Sequence, residues 1–270
     1  MSASGNERKR YAPAVLLVLT ALLSPLSLLL SALWPQLRTS AAAYYGCLSL
    51  QELLLWLLPA LCMLPWRHQR LGPKAGVRPL ALLAVPVGLA AQVFASRLSA
   101  LLPRQAAGTA LPQPATPGEW LLAALALVLL PALCEEAFFR GCLTCHLLDA
   151  LHPAWACGLS VLYFTLIHGS VAELPGLLLI SLLCTLLMLA TGRLWAPVAA
   201  HMAFNAMALL LPLLPDTPWL LLTGLLPLGL AVLLPPRLSW RKRKEQPPTT
   251  RSEALLLGFL MLGMLARLLI

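Results

Sequence analysis

Two adjacent carboxylates in an apolar stretch are the first residues of this chain whose types and spacing could do acid–base chemistry. Glu135 and Glu136 lie in the run LCEEAFFR, which ends at Arg140. Arg140 follows Glu136 by four residues, so on a helix the two share a face and can form an ion pair. Glu135 is rotated away from that face by about 100°. The two carboxylates therefore meet different partners, which lets one be a fixed anion while the other stays free for proton transfer.

Two histidines and an asparagine in later apolar stretches extend this pair to a possible hydrolytic site. His168 ends the run FTLIH, and His201 and Asn205 are four residues apart, so both present polar atoms from one helix face. In this interpretation Glu135 and His168 polarise a water molecule for attack on a carbonyl group. His201 and Asn205 then donate hydrogen bonds to the developing oxyanion. Each group alone is also typical of a structural hydrogen bond between helices, and the Glu–Arg pair is interpreted as mainly structural.

Membrane-spanning helices must position these groups, because the composition excludes a soluble domain. The chain is 60% hydrophobic and 11% charged, with a mean hydropathy of +0.83. Soluble domains are about half apolar and a quarter charged. We therefore predict an all-α, polytopic transmembrane bundle built from spans of about 20 apolar residues. About eight spans are predicted, near 12–34, 43–65, 79–102, 119–147, 154–172, 174–191, 196–214 and 218–235. The apolar tail at 254–270 either forms a ninth span or lies in the interface.

The net charge of +9 follows the pattern of a membrane protein and does not indicate a nucleic-acid partner. Basic residues collect in the loop at 67–78 and in the segment at 237–251, which fall on one side of the predicted membrane. Basic loops face the cytoplasm, so the N-terminus is predicted to be cytoplasmic. Short loops rich in Leu, Ala and Pro favour a bacterial inner membrane as the location.

The ordered motifs resemble those of the CPBP family, the CAAX-prenyl-protease and bacteriocin-processing glutamic intramembrane proteases. The run EEAFFR from Glu135 is similar to the family motif EExxxR. Phe164 and His168 match its motif FxxxH, and His201 and Asn205 match its motif HxxxN. The resemblance covers about residues 119–214. It divides the chain into N-terminal helices with a Pro-rich loop (1–118), a core with the catalytic motifs (119–214) and C-terminal helices with a basic cytoplasmic segment (215–270).

The resemblance implies a metal-independent endopeptidase that uses no cofactor. Glu135 corresponds to the general base, which acts with His168, and His201 and Asn205 correspond to the group that stabilises the oxyanion. The adjacent Glu–Arg pair corresponds to supporting positions. The expected substrate is a membrane protein or peptide, with or without a tag, cleaved near the membrane surface. Neither the substrate nor the oligomeric state can be read from the sequence.

Other functions use the same residue types. A zinc protease is one, since two histidines and a glutamate form a catalytic zinc set, although neither histidine belongs to an HExxH motif. A proton-coupled transporter with a Glu/His relay is another, and it would normally show internal repeats, of which the chain gives no convincing sign. A non-catalytic adaptor or immunity protein could keep the same fold. Buried polar groups that only hold helices together are the remaining alternative.

Two features of the predicted spans concern geometry. The boundaries place His168 near the non-cytoplasmic end of its helix and His201 near the cytoplasmic end of its own. Convergence of both on Glu135 therefore requires tilted, broken or shifted helices. Tryptophans near span ends are expected to form an ordinary aromatic belt at the interfaces. These are Trp34, Trp56, Trp66, Trp195 and Trp219.

Overall fold

A computed structural model describes residues 40–63, 83–100, 112–150, 152–168 and 170–213. Within these ranges the chain forms helices and no strands, so the predicted all-α class is confirmed for this part. The predicted spans at 12–34 and 218–235, the apolar tail at 254–270 and both basic segments lie outside the described residues.

The described residues form six helical rods, which we number α1 to α6 in chain order. Two of the rods contain wider π-helical turns. Helix α1 runs through Ala41–Glu52, a π segment Leu53–Leu57 and Leu58–Met63, and α2 is Ala84–Ser99. Helix α3 runs through Pro117–Ala124, a π segment Leu125–Leu129, Leu130–Glu136, a second π segment Ala137–Leu143 and Thr144–Ala150. Helix α4 is Pro153–Ile167, α5 is Leu174–Thr191, and α6 is Trp195–Leu210, followed by the 3-10 turn Leu211–Leu213.

Three of these helices are long and apolar enough to cross a membrane. They contain the stretches Ala41–Leu61, Pro117–Leu143 and Leu174–Thr191. Helices α4 and α6 are also apolar but shorter. Together with the composition, these helices make the chain an integral membrane protein.

Helix α4 is shorter than predicted. It ends at Ile167 rather than near residue 172, and the His168 ring caps its last turn, with Nδ1 2.7 Å from the carbonyl oxygen of Phe164. Its 15 residues, at about 1.5 Å each, measure about 22 Å, less than the hydrocarbon core of about 30 Å. The helix alone is therefore too short to cross that core, and His168 lies at its C-terminal end.

Helix α3 is the centre of the described bundle. Helices α1, α4, α5 and α6 pack around it, and each residue from Cys134 to Arg140 is buried. Phe138 and Phe139 are fully buried and pack against Trp56 of α1, each with its ring centroid 5.2 Å from the indole. The aromatic-belt prediction is therefore wrong for Trp56, which is 6% exposed, because it lies in the π segment of α1 that faces α3.

Local signals fix where α3 begins. Thr116 is the N-cap, and its hydroxyl accepts a hydrogen bond from the backbone N–H of Glu119. The Glu119 carboxylate accepts in return from the backbone N–H groups of Ala115 and Thr116, which completes a capping box. Pro117 occupies the first helical turn, where its missing N–H is harmless.

A tight turn, a close backbone contact and a hydrogen bond join the helices around α3. Helix α5 ends at Gly192, whose φ of 63° lies in the left-handed region that favours glycine, so the chain can turn at once into α6. Helix α2 packs along α6 at Gly88, where a Cβ would overlap the backbone carbonyl of Ala200. Thr144 of α3 and Ser160 of α4 share a hydrogen bond of 2.7 Å.

Candidate active site

The two carboxylates lie at the point where α3 widens. Glu135 and Glu136 are the last residues of an α-helical segment, and the π segment Ala137–Leu143 follows directly. Such π turns occur often at functional sites. The exposed fractions are 5% for Glu135 and 0% for Glu136, so neither carboxylate is solvated by bulk water. Their partners therefore decide what each can do.

Glu136 forms the predicted ion pair. Its Oε1 lies 2.7 Å from Nη1 of Arg140, so this contact is confirmed. The guanidinium also donates through Nη2 to the backbone oxygen of Ser181 at 2.7 Å and to its hydroxyl at 2.8 Å. The guanidinium also stacks on the Phe164 ring, with Cζ 4.8 Å from the ring centroid. Arg140 thereby ties α3 to α5 and α4 through a buried cation.

His201 joins the same carboxylate. Its Nδ1 lies 2.9 Å from Oε1 of Glu136, the oxygen that also accepts from Arg140. A carboxylate only accepts, which assigns the proton to Nδ1. In the neutral ring Nε2 is then an acceptor, and only the imidazolium donates from both nitrogens. A donor role for His201 at an oxyanion therefore requires the charged ring, for which Glu136 supplies the adjacent negative charge.

His168 faces the other carboxylate. Its Nε2 lies 3.9 Å from Oε1 of Glu135, too far for a direct hydrogen bond. Its Nδ1 lies 2.7 Å from the carbonyl oxygen of Phe164, which can only accept, so Nδ1 is the donor. In the neutral ring Nε2 is then a free acceptor. Two acceptors thus face each other across a gap that one water molecule can bridge.

The pair is open on the histidine side. The side chain of His168 is 26% exposed, whereas that of Glu135 is 6% exposed. The Phe164 ring contacts the imidazoles of both pairs, with its centroid 4.8 Å from that of His168 and 5.8 Å from that of His201. The aromatic residue of the second motif therefore packs against both histidines of the site.

The predicted separation of the two histidines is wrong. They contact adjacent residues of α3, because α4 stops at His168 and the tight turn after α5 brings the start of α6 alongside. Asn205 follows His201 by one turn of α6 and is half-buried. The described residues show no hydrogen bond from Asn205 to either glutamate or either histidine, so it joins the group only through its helix.

A metal site is a separate question. Among the described residues, no group of three or more His, Cys, Asp or Glu side chains is placed to hold a metal ion. The carboxylates and imidazoles form instead two Glu–His pairs on adjacent residues of α3.

Two further residues of this region were not singled out from the sequence. Ser181 holds Arg140, and a serine within a Leu-rich span carries no motif that would reveal it. Glu52 of α1 is 9% exposed, and its carboxyl group lies near Glu135 and Cys134. Glu52 could have been identified from the sequence, since it is the only charged residue in the predicted span at 43–65. Ionisable groups within spans are functional candidates by default.

Comparison with known proteins gives one match. Residues 117–207 match the family described as Type II CAAX prenyl endopeptidase Rce1-like. The matched range contains all six residues predicted for the site. No curated protein and no solved structure matches the chain.

Proposed function

We propose that this chain, which belongs through residues 117–207 to the Rce1-like CAAX protease family, is a metal-independent glutamic endopeptidase of the membrane. The family is one of intramembrane proteases, and peptidase activity follows at that level.

The 3.9 Å spacing between Oε1 of Glu135 and Nε2 of His168 carries the mechanism, because one water molecule beside the two atoms can bond to both. A water molecule there can donate one O–H to Oε1 of Glu135 and the other to Nε2 of His168, which leaves its lone pairs free. As the oxygen attacks the scissile carbonyl, its proton passes to this pair, and the carbonyl becomes an oxyanion. The same proton then passes to the leaving nitrogen as the C–N bond breaks.

His201 and Asn205 are proposed to stabilise the oxyanion. The Asn205 amide donates as it stands, whereas His201 donates from Nε2 as an imidazolium whose Nδ1–H stays bonded to Glu136. Glu136 and Arg140 support the site, because they fix the His201 ring and neutralise each other. Donors already in place before the reaction lower the cost of the developing charge.

The proposed substrate is a membrane protein or membrane-associated peptide cut near the membrane surface. No nucleic acid takes part. The proposed location is a bacterial inner membrane, with the N-terminus in the cytoplasm, on the positive-inside distribution of basic residues.

Cleavage is tested in the producing cell with Glu135→Ala and His168→Ala, followed by proteomics of membrane-protein termini. At least one terminus present in the wild type is expected to disappear in both variants. Glu173→Ala is the matched control, because Glu173 is exposed at the start of α5 and lies outside the site. Termini that are unchanged in both site variants would rule the proposal out.

The oxyanion role is tested with Asn205→Ala. Removal of one oxyanion donor typically slows the chemical step by about 10²–10³-fold. The variant should accumulate in the membrane as the wild type does, while the cleaved terminus becomes scarce. If the variant protein fails to accumulate, the asparagine holds helices together and has no such role.

Metal independence is tested by chelation. Cleavage by the purified chain should survive prolonged treatment with EDTA and with phenanthroline, because neither Glu–His pair needs a metal to polarise water. Loss of cleavage that added zinc restores would favour the zinc protease instead.

A further inference from the structure

Glu52 is a buried carboxyl group to which the mechanism above gives no role. It is the last residue of the first α-helical segment of α1, Ala41–Glu52, and the π segment Leu53–Leu57 starts directly after it. Both segments of α1 pack against the part of α3 that ends at Glu136. The side chain is 9% exposed, and its Oε2 has no hydrogen-bond partner in the described ranges. A polar oxygen in this position is costly unless something donates to it.

Glu135 also has a carboxyl oxygen without a hydrogen-bond partner among the described residues. Its Oε1 faces His168, whereas its Oε2 is buried and has no hydrogen-bond partner within the part of the chain that the structure describes. Glu52 and Glu135 lie near enough for an ionised Glu52 to repel an ionised Glu135. Arg140 directs its Nη1 and Nη2 bonds to Glu136 and Ser181, and its Nε is buried without a hydrogen-bond partner among the described residues. Two unpartnered carboxyl oxygens thus lie on helices that pack together.

One proton satisfies both carboxyl groups. Two ionised carboxylates in an apolar site repel each other, and each can only accept. A protonated carboxyl is also a donor, so it can bond to its neighbour directly or through one buried water. The Oε1 of Glu135 is needed at the catalytic water, which leaves its Oε2 as the acceptor and Glu52 as the donor.

We propose that Glu52 is a positioning residue that, as a neutral acid, donates directly or through one water to Oε2 of Glu135 and so holds Oε1 toward His168. This role rests on the proposed function of Glu135 as the base. Glu52 touches neither the substrate nor the reacting water. It fixes the rotation of the catalytic carboxylate and leaves a single negative charge on the two acids.

Infrared spectroscopy tests the proton without any substrate. The difference spectrum between the purified full chain and Glu52→Gln at neutral pH should show the loss of the C=O band of a protonated carboxyl. Glu119→Gln is the matched control, because the Glu119 carboxylate accepts two backbone N–H bonds and should show only carboxylate bands. If Glu52→Gln removes only carboxylate bands, Glu52 is ionised and the proposal is overturned.

Cleavage in the producing cell tests the positioning. Glu52→Met keeps the size but removes the donor, and it should reduce the cleaved terminus about 10–100-fold at equal protein level, the usual cost of losing an orienting partner. Glu52→Gln keeps a donor and should recover most of this loss. Equal loss in both variants, or wild-type cleavage by Glu52→Met, overturns the positioning role.

Glu135→Gln separates failure of the positioning role from failure of the proposed function. If Glu135→Gln cleaves normally, Glu135 is not the base and the proposed function fails together with the positioning role. If Glu135→Gln is inactive, the proposed function stands, and the two Glu52 variants alone decide whether Glu52 positions the base.

Discussion

Arg140→Met removes a guanidinium from a site where Glu136 stays buried. Arg140 is 1% exposed and Glu136 is fully buried, so water cannot replace the lost partner. Removal of one partner of a buried pair costs about 3–5 kcal/mol of stability, and here the Glu136 carboxylate keeps only its hydrogen bond to His201. The variant also loses two bonds to Ser181, which are worth about 0.6 kcal/mol each between helices in a membrane. Arg140→Met should therefore be among the most destabilising substitutions of the described helices.

Adding Glu136→Gln to Arg140→Met separates the effect of the buried charge from the effect of packing. The double variant removes both charges, so the main loss that remains is the pair of bonds to Ser181, about 1.2 kcal/mol. We expect it to be about 2 kcal/mol or more stable than Arg140→Met alone. A difference of this size is more than a tenfold change in the folding equilibrium.

Unfolding of the purified chain in mixed micelles by increasing SDS, followed by tryptophan fluorescence, gives these free energies. Both single variants, the double variant and the wild type form a double-mutant cycle. Losses that simply add, so that the double variant is less stable than Arg140→Met, would refute the idea that Glu136 is a buried charge that depends on Arg140.

Two further substitutions test the packing around α3, each with a matched control and the same unfolding assay. Gly88→Ala should destabilise the chain by about 1–3 kcal/mol, because the new Cβ overlaps a backbone carbonyl of α6. Gly46→Ala is the control and should cost nothing, because the space around Gly46 is open. Equal effects of the two substitutions would contradict the close approach of α2 and α6. Trp56→Ala should cost about 3–5 kcal/mol as a large-to-small change in the core. Trp155→Ala should cost little, since Trp155 is 69% exposed, and a stable Trp56→Ala variant would place the indole outside the core.

The features that the sequence predicts well are local. Helix α5 occupies the predicted range 174–191 because an unbroken apolar run determines it. The Glu136–Arg140 contact follows from a spacing of four residues within one helix, and it survives although Arg140 lies in a π segment. The different partners of Glu135 and Glu136 follow from their rotation around the same helix.

The features that the sequence does not predict depend on packing between helices. The π segment Leu53–Leu57 is an apolar run like any other, and only its contact with α3 explains why Trp56 turns inward. The apolar run of α4 is followed by only a few small and polar residues before Val171 and Ala172, so a window of about 20 residues extends the predicted span beyond His168. Ser181 becomes an Arg140 partner through a contact across 41 positions of sequence, which no local pattern encodes.

The ion pair within α3 has a consequence for how the chain enters the membrane during synthesis. Helices that come later in the chain supply Ser181 and His201, whereas Glu136 and Arg140 belong to one helix. Their charges can therefore compensate each other as soon as α3 forms, which lowers the cost of inserting two ionisable groups. Glu135 has no basic residue three or four positions away on either side. Its environment is completed only when the nascent chain has delivered α4 and placed His168 beside it.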